Sequence, residues 1–129
     1  MPGQEQNELS KRAASFSYAL EGWLYVLRTQ RNAWVHAAAT IAVVILAFWL
    51  DLGRIDWAIL VLAITIVWTA ELANTALEAL VDLVSPDVHP LAKTAKDVSA
   101  GAVLASACGA AIVGVLILGP PLWERLFGS

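Results

Sequence analysis

Three long stretches of mostly apolar residues divide the chain, and their lengths predict helices that cross a membrane. The first covers residues 33–50, the second residues 55–84 and the third residues 95–118. At ~1.5 Å per residue the first stretch reaches roughly 27 Å, which is just enough to cross a hydrocarbon core. The second would extend roughly 45 Å. We therefore expect its second half to project beyond the lipid.

Short polar segments separate these stretches and predict where the helices end. DLGRID follows the first stretch as a polar turn. Pro86 and Pro90 break the second helix, because proline lacks the donor that would continue it. We expect Gly119-Pro120-Pro121 to stop the third helix in the same way, and His89, between prolines, to be structural.

Residues 10–30 are predicted to form an amphipathic helix on the membrane surface, capped by Ser10 and preceded by a frayed segment over residues 1–9. The alternative is the start of an ordinary core helix. The predicted fold class is an all-α membrane protein with one domain over residues 1–129, arranged as a surface helix plus three transmembrane helices. The apolar residues of the surface helix recur at spacings of three and four, which places them on one face: Phe16, Leu20, Trp23, Leu24 and Leu27.

Composition supports a membrane location. Hydrophobic residues make up 59% of the chain and charged residues 15%, with a mean hydropathy of +0.68. Soluble domains average about 45–50% apolar and about 25% charged residues. A net charge of −3, without a basic stripe, argues against nucleic acid as a partner.

The distribution of Lys and Arg predicts the orientation. Six of them fall on one side of a three-span arrangement and two on the other. Because positive residues accumulate on the cytoplasmic side, we expect the N-terminus and the second connection there. Small residues at spacings of four on the third helix favour close helix packing and an oligomer. The six are Lys11, Arg12, Arg28, Arg31, Lys93 and Lys96, and the two are Arg54 and Arg125.

Polar residues share one face of the second long helix. This polar face starts where the apolar run of the same helix ends. At ~100° per residue they all lie within about 60° of Glu71. A carboxylate at a membrane boundary is costly and suggests function. The alternative is a solvated helix end in which Asn74 and Thr75 hydrogen-bond between helices. The residues of this face are Glu71, Asn74, Thr75, Glu78 and Asp82.

Lys96 and Asp97 return to a similar depth at the start of the third helix. Lys96 could simply form an ion pair with the carboxylates. Alternatively, the carboxylates hold Mg²⁺, which prefers a few carboxylate oxygens together with substrate phosphates, and the lysine meets a phosphate. The chain has neither a Gly-x-x-x-x-Gly-Lys-Ser/Thr loop nor the soluble protein-kinase motifs.

Two segments together resemble the bacterial integral-membrane diacylglycerol/undecaprenol kinase family. ELANTALEALVD at residues 71–82 fits the pattern Glu-x-x-Asn-Ser/Thr-Ala-x-Glu-x-x-x-Asp, and HPLAKTAKDVSAGAVL at residues 89–104 carries the Ala-Lys-Asp that follows it. The resemblance covers roughly residues 10–118. It implies a homotrimer whose active sites are shared between neighbours, in the bacterial inner membrane with the sites on the cytoplasmic side. It also implies transfer of the γ-phosphate of MgATP to the primary hydroxyl of a membrane lipid.

The same resemblance implies roles for individual residues. Glu71 would be the general base and Glu78 a metal ligand, while the nucleotide would be arranged by Asn74, Asp82, Lys96 and Asp97. The family often has Glu where this chain has Gln30, which can offer only a neutral carbonyl to Mg²⁺. Gln30 is therefore a weaker candidate ligand, and Glu21 is either a substitute for it or, as we rather expect, simply a solvated residue.

Two further motifs bear on the acceptor lipid. Arg31-Asn32-x-x-Val35-His36 and His89-Pro90-Leu-Ala-Lys93 look more like the undecaprenol-kinase branch than the diacylglycerol branch. His36 itself is expected to be a hydrogen-bonded packing residue rather than a ligand.

Two other functions remain as alternatives, a non-catalytic membrane scaffold and a proton-coupled transporter subunit. The transporter would need ionisable groups near the middle of the bilayer. Residues 37–50, 57–70 and 98–118 carry no charge, so no proton path is visible. A scaffold would tolerate Glu71→Gln and Asp97→Asn without loss of any activity.

Overall fold

The chain folds into four consecutive helices. The computed structural model describes the backbone of residues 2–128 and the side chains of residues 4–128. The helices are α1 (Pro2–Thr29), α2 (Arg31–Trp49), α3 (Arg54–Val84) and α4 (Pro90–Phe127). Helices α2, α3 and α4 are each long and apolar enough to cross a membrane. The prediction of an all-α chain with three spans is thus confirmed.

Helices α3 and α4 form a long antiparallel hairpin around the connection at residues 85–89. His89 lies at the N-cap of α4, where its Nδ1 accepts a hydrogen bond of 3.1 Å from the backbone N–H of Leu91. Pro90 follows in the first turn, where a missing backbone donor costs nothing. The structural role expected for His89 is confirmed, and it explains how the helix starts.

Helix α4 does not stop at Gly119-Pro120-Pro121, so that prediction is wrong. Pro120 and Pro121 lie inside the helix, which continues to Phe127. Each proline forfeits a backbone hydrogen bond, but packing beyond the prolines holds the helix together. Leu122 packs against the apolar core formed by Ala47, Leu50, Leu60 and Leu118, and the rings of Trp123 and Phe127 lie 4.6 Å apart.

The N-terminal boundary also differs from the prediction. Helix α1 begins at Pro2, so the frayed segment is wrong for residues 2–9, and Met1 lies outside the described residues. Ser10 is not a cap, because its Oγ donates to the carbonyl of Asn7 at 2.8 Å within the helix. Likewise α4 begins at Pro90 rather than at residue 95.

The amphipathic segment predicted for residues 10–30 lies within α1 except for Gln30, which follows the end of the helix at Thr29. Its apolar face, including Phe16 and Leu20, is exposed in the single chain, as expected for a helix on a lipid surface. The apolar core described above lies near the α2–α3 connection. From Leu60 in that core, α3 rises about 16 Å to Glu71, where the buried residues become polar.

Candidate active site

Three buried polar residues mark one face of α3. Glu71 is 1% exposed, Asn74 7% and Thr75 4%. The Thr75 hydroxyl donates to the backbone carbonyl of Glu71 at 2.9 Å. For these three residues a solvated helix end is wrong, whereas the side chain of Asp82 is 66% exposed and fits that description. The predicted face therefore passes from a buried end to a solvent end.

Glu71 faces His36 on α2 across a short gap. The distance from His36 Nε2 to Glu71 Oε2 is 3.4 Å. Neither atom has a hydrogen-bond partner among the described residues, and Glu71 Oε1 has none either. Leaving a buried polar group unpaired costs about 1–3 kcal/mol, so such groups call for a functional explanation.

Trp68 packs beside the His36–Glu71 contact, one helical turn before Glu71. Its indole Nε1 donates to the hydroxyl of Thr40 on α2 at 3.1 Å. Its ring lies 5.2 Å from that of Trp23 on α1 and 6.2 Å from the His36 imidazole, centroid to centroid. Trp68 thus links three helices around the buried carboxylate and helps to shield it from solvent.

Asn74 and Glu78 form the next turn of the face. Asn74 Nδ2 donates to Glu78 Oε1 at 3.2 Å, which leaves Asn74 Oδ1 buried without a partner. An amide carbonyl beside a carboxylate suits Mg²⁺, which favours oxygen ligands. Within residues 4–128, however, no three His, Cys, Asp or Glu side chains of a single chain come together as a metal-binding group.

Gln30, the other predicted metal ligand, occupies the N-cap position of α2 in an extended backbone conformation. Its side chain makes no capping hydrogen bond and lies partly buried. Glu21, the possible substitute, lies exposed on α1. The structure records no contact that joins either residue to Glu78.

At the solvent end each predicted nucleotide carboxylate is paired with a lysine. Lys96 contacts Asp82 across the α3–α4 hairpin, and Lys93 contacts Asp97 one turn along α4. The ion pair expected as one alternative for Lys96 is therefore present in the ligand-free chain. Exposed pairs of this kind contribute only about 0–1 kcal/mol, so a phosphate or metal ion can displace them.

An apolar groove of about 560 Å³ runs between α2, α3 and α4. Its volume lies within the ~300–1,000 Å³ usual for ligand sites. His36 and Thr40 are the only side chains with polar groups among the residues lining it, and Glu71 is not among them. His36 therefore lies between the groove and the buried carboxylate. Sequence reasoning treated His36 as a packing residue. The signal available in the sequence was its spacing of four from Thr40 on a helix that carries no other strongly polar side chain after Asn32.

Comparison with known proteins identifies the family to which the chain belongs. The profile of the family described as prokaryotic diacylglycerol kinase matches residues 17–118, which is most of the chain. The chain belongs to the prokaryotic diacylglycerol kinase family. It is thus a membrane-embedded lipid kinase, a phosphotransferase of lipid metabolism that uses ATP. The scaffold and transporter alternatives are wrong for a member of this family.

The relatives of the chain are named for two different acceptor lipids. The undecaprenol kinase of Bacillus subtilis is 45% identical over 117 residues, covering 91% of this chain and 95% of the relative. The diacylglycerol kinase of Synechocystis is 49% identical over 109 residues, covering 84% of this chain and 62% of the relative. The diacylglycerol kinase of Escherichia coli K12 is 28% identical over 117 residues. Family membership alone therefore leaves the acceptor lipid open.

Proposed function

We propose that this kinase transfers the γ-phosphate of ATP, with Mg²⁺, to the primary hydroxyl of a membrane lipid, with undecaprenol favoured over diacylglycerol. The observation that carries the proposal is the buried, unpaired carboxylate of Glu71 near an apolar groove, with the polar face continuing to solvent. One substrate lives in lipid and the other in water. A helix face that spans both phases can bring them together.

The chemistry of the groove supports a polyprenol acceptor. The Thr40 hydroxyl already donates to the carbonyl of His36 at 2.7 Å and accepts from Trp68. Diacylglycerol carries two ester groups besides its hydroxyl, and burying each without a donor costs roughly 1–3 kcal/mol. A polyprenol offers a long apolar chain and one hydroxyl. The alignment with the undecaprenol kinase covers 95% of that relative, against 62% of the Synechocystis diacylglycerol kinase, and this fuller match supports the same choice.

The solvent end would bind the nucleotide through Asn74, Asp82, Lys96 and Asp97. Phosphoryl transfer depends mainly on positioning and on neutralising charge, and Lys96 can present a point charge to a phosphate. Glu78 would hold Mg²⁺, and the unpaired Asn74 Oδ1 beside it fits a cation ligand. Gln30 would add a weak, neutral ligand. Bound Mg²⁺ would supply positive charge at the phosphates.

Glu71 would be the basic carboxylate of the reaction. The acceptor oxygen forms a bond to the γ-phosphorus as the bond from that phosphorus to the β,γ-bridging oxygen breaks, and ADP leaves. The proton of the hydroxyl passes to the basic group. Glu71 and Glu78 are about 10 Å apart along the helix, which leaves room for the transferring group between base and metal ligand.

We further propose a homotrimer of single membrane domains in the bacterial inner membrane, with the N-terminus and the site facing the cytoplasm. A Cβ added at Gly101, Gly109 or Gly114 of α4 would meet nothing within 4 Å, so this helix surface is open to a neighbouring helix. Within the described part of one chain, no three acidic, His or Cys side chains come together to hold a metal ion. A neighbouring subunit could supply the missing ligands.

Phosphorylation of lipids in micelles tests the function directly. Purified protein would receive radiolabelled ATP and Mg²⁺, with undecaprenol and diacylglycerol offered in parallel. We expect label mainly in undecaprenol, lost in Glu71→Gln and retained in Glu124→Gln, which makes the same change at an exposed residue near the end of α4. Label mainly in diacylglycerol would overturn the choice of acceptor. Label in neither lipid, from an assembled protein, would overturn the proposed function.

A further inference from the structure

His36 and Glu71 face each other in a dry setting without closing a hydrogen bond. Their side chains are 13% and 1% exposed, and His36 Nε2 lies 3.4 Å from Glu71 Oε2. In the described chain Nε2 and both carboxylate oxygens are buried without a hydrogen-bond partner. Contacts in a ligand-free site are often long and tighten only when substrate binds. The pair is therefore arranged to close once the site is filled.

We propose that His36 is the positioning residue of Glu71: its Nε2–H donates to one carboxylate oxygen and leaves the other available for the acceptor hydroxyl. The inference rests on the proposed function and deepens it, because it names what aims the base. Glu71 remains the group that takes the proton, and His36 acts only through it.

A glutamate base needs such a contact because its carboxylate is carried on a flexible side chain. No hydrogen bond in the described chain fixes either oxygen of Glu71, so His36 is the group placed to do so. Nε2 donates in the imidazolium and in one of the two neutral tautomers, so the bond does not require a charged His36. A misplacement of about 1 Å in a reacting group can cost ~10²-fold in rate, which makes the aim of the carboxylate matter.

The relative position of the two helices is held by a hydrogen bond next to this contact. Trp68 Nε1 on α3 donates to Thr40 Oγ1 on α2 at 3.1 Å, the one side-chain hydrogen bond between these helices in the described chain. Thr40 lies one helical turn after His36, and Trp68 lies one turn before Glu71. The Trp68 ring also meets the imidazole edge-on, 6.2 Å from centroid to centroid. Helices α2 and α3 thus present His36 to Glu71 in a fixed register.

The proton transfer balances with His36 as a bystander. The acceptor O–H bond breaks and its proton moves to the Glu71 carboxylate, while the acceptor oxygen bonds to the γ-phosphorus and ADP leaves. His36 keeps its own N–H throughout and gains no proton. Its effect is on the geometry of the step, so its loss should lower kcat and leave the binding of ATP intact.

Two substitutions of His36 separate donation from packing. His36→Leu removes the donor, and we expect kcat for undecaprenol phosphorylation to fall about 10–100-fold, the loss expected for one hydrogen bond to a charged group. The KM for ATP should not change. His36→Gln keeps an N–H that can reach Glu71, so it should retain most of the wild-type kcat. Equal losses in the two variants, or a normal kcat in His36→Leu, would overturn the proposal and leave Glu71 as an unaided base.

A double substitution shows whether His36 acts through Glu71. In Glu71→Gln no carboxylate remains to be aimed, so adding His36→Leu should lower the residual single-turnover rate little further. A general structural role predicts the same fold loss in both backgrounds, and that result would contradict the proposal.

Thr40→Val gives a readout that leaves His36 in place. It removes the acceptor of the Trp68 hydrogen bond and so loosens the register of α2 against α3, and we expect kcat to fall about 2–10-fold. Thr65→Val is the matched control, because its hydroxyl is exposed and donates only to the carbonyl of Val61 in its own helix. Equal rates in the two threonine variants would contradict the proposal even if His36→Leu failed to assemble. Failure of the wild-type protein to label any lipid would instead overturn the proposed function.

Discussion

The two ends of the polar face on α3 differ in both burial and pairing. At the lipid end Glu71 is almost fully buried, and its carboxylate oxygens have no hydrogen-bond partner among the described residues. At the solvent end Asp82 is largely exposed and paired with Lys96. The usual arrangement is the reverse, since buried charges are normally paired and exposed ones solvated.

Under the proposed function, this inversion matches the two substrates of the enzyme. The lipid end keeps an acid and an imidazole apart in a dry setting, at a cost in stability that a purely structural site would avoid. The solvent end instead satisfies its charges with weak ion pairs that a nucleotide can replace. The comparison predicts that changes at the lipid end act mainly on the chemical step and that changes at the solvent end act mainly on nucleotide binding.

Glu71→Gln should have the largest effect and separates the two ends most clearly. It keeps the size of the side chain but removes the carboxylate that would accept the proton. We expect kcat to fall at least about 10²–10⁴-fold, with little change in the KM for ATP. Steady-state kinetics with undecaprenol would measure both, alongside Glu124→Gln. A rise in the KM for ATP with normal kcat would place Glu71 at the nucleotide instead.

Changes at Glu78 and Gln30 should alter the Mg²⁺ requirement in opposite directions. Glu78→Gln removes a charged ligand, and Gln30→Glu adds one where the family often has Glu. Because the charge of the ligands tunes affinity for the cation, we expect half-maximal activity at higher Mg²⁺ in the first variant and at lower Mg²⁺ in the second. Titration of activity with Mg²⁺ at saturating ATP would measure the shift.

An unchanged Mg²⁺ requirement in Gln30→Glu would remove Gln30 from the metal site and favour a ligand from elsewhere. The same result in Glu78→Gln would contradict the proposed metal ligand itself. Thr29→Glu places an extra charge one residue away, on the exposed end of α1, and controls for a general electrostatic effect.

Lys96→Met should weaken ATP binding with less effect on kcat. A hydrogen bond from a charged donor is worth about 1.5–3 kcal/mol, so we expect the KM for ATP to rise roughly tenfold or more. Lys93→Met removes a neighbouring charge that contacts Asp97 and should raise the KM less. Equal effects in the two variants would mean that general charge near the phosphates matters, and that Lys96 makes no specific contact.

The sequence predicted the parts of this site that lie on one helix. Helical periodicity determines which residues are neighbours along α3, so the shared face of Glu71, Asn74 and Glu78 follows directly from spacing. The contact between His36 and Glu71 depends instead on how α2 and α3 rotate against each other, which no local pattern contains. The continuation of α4 through Pro120 and Pro121 was missed for the same reason, because tertiary packing outweighs local propensity.

Stability measurements should show the smallest effects and should again differ between the ends. Lys93→Met removes one exposed ion pair, in which the lysine side chain is 77% exposed, so we expect at most ~1 kcal/mol of change in the free energy of unfolding. Trp68→Phe removes the hydrogen bond to Thr40 and leaves its hydroxyl short of a donor, at a cost of about 1–3 kcal/mol. Denaturant titration in mixed micelles would compare the two variants. A larger loss in Lys93→Met would mean that the solvent end is also part of the stable framework, because an exposed ion pair within α4 would then contribute more than the part-buried hydrogen bond of Trp68.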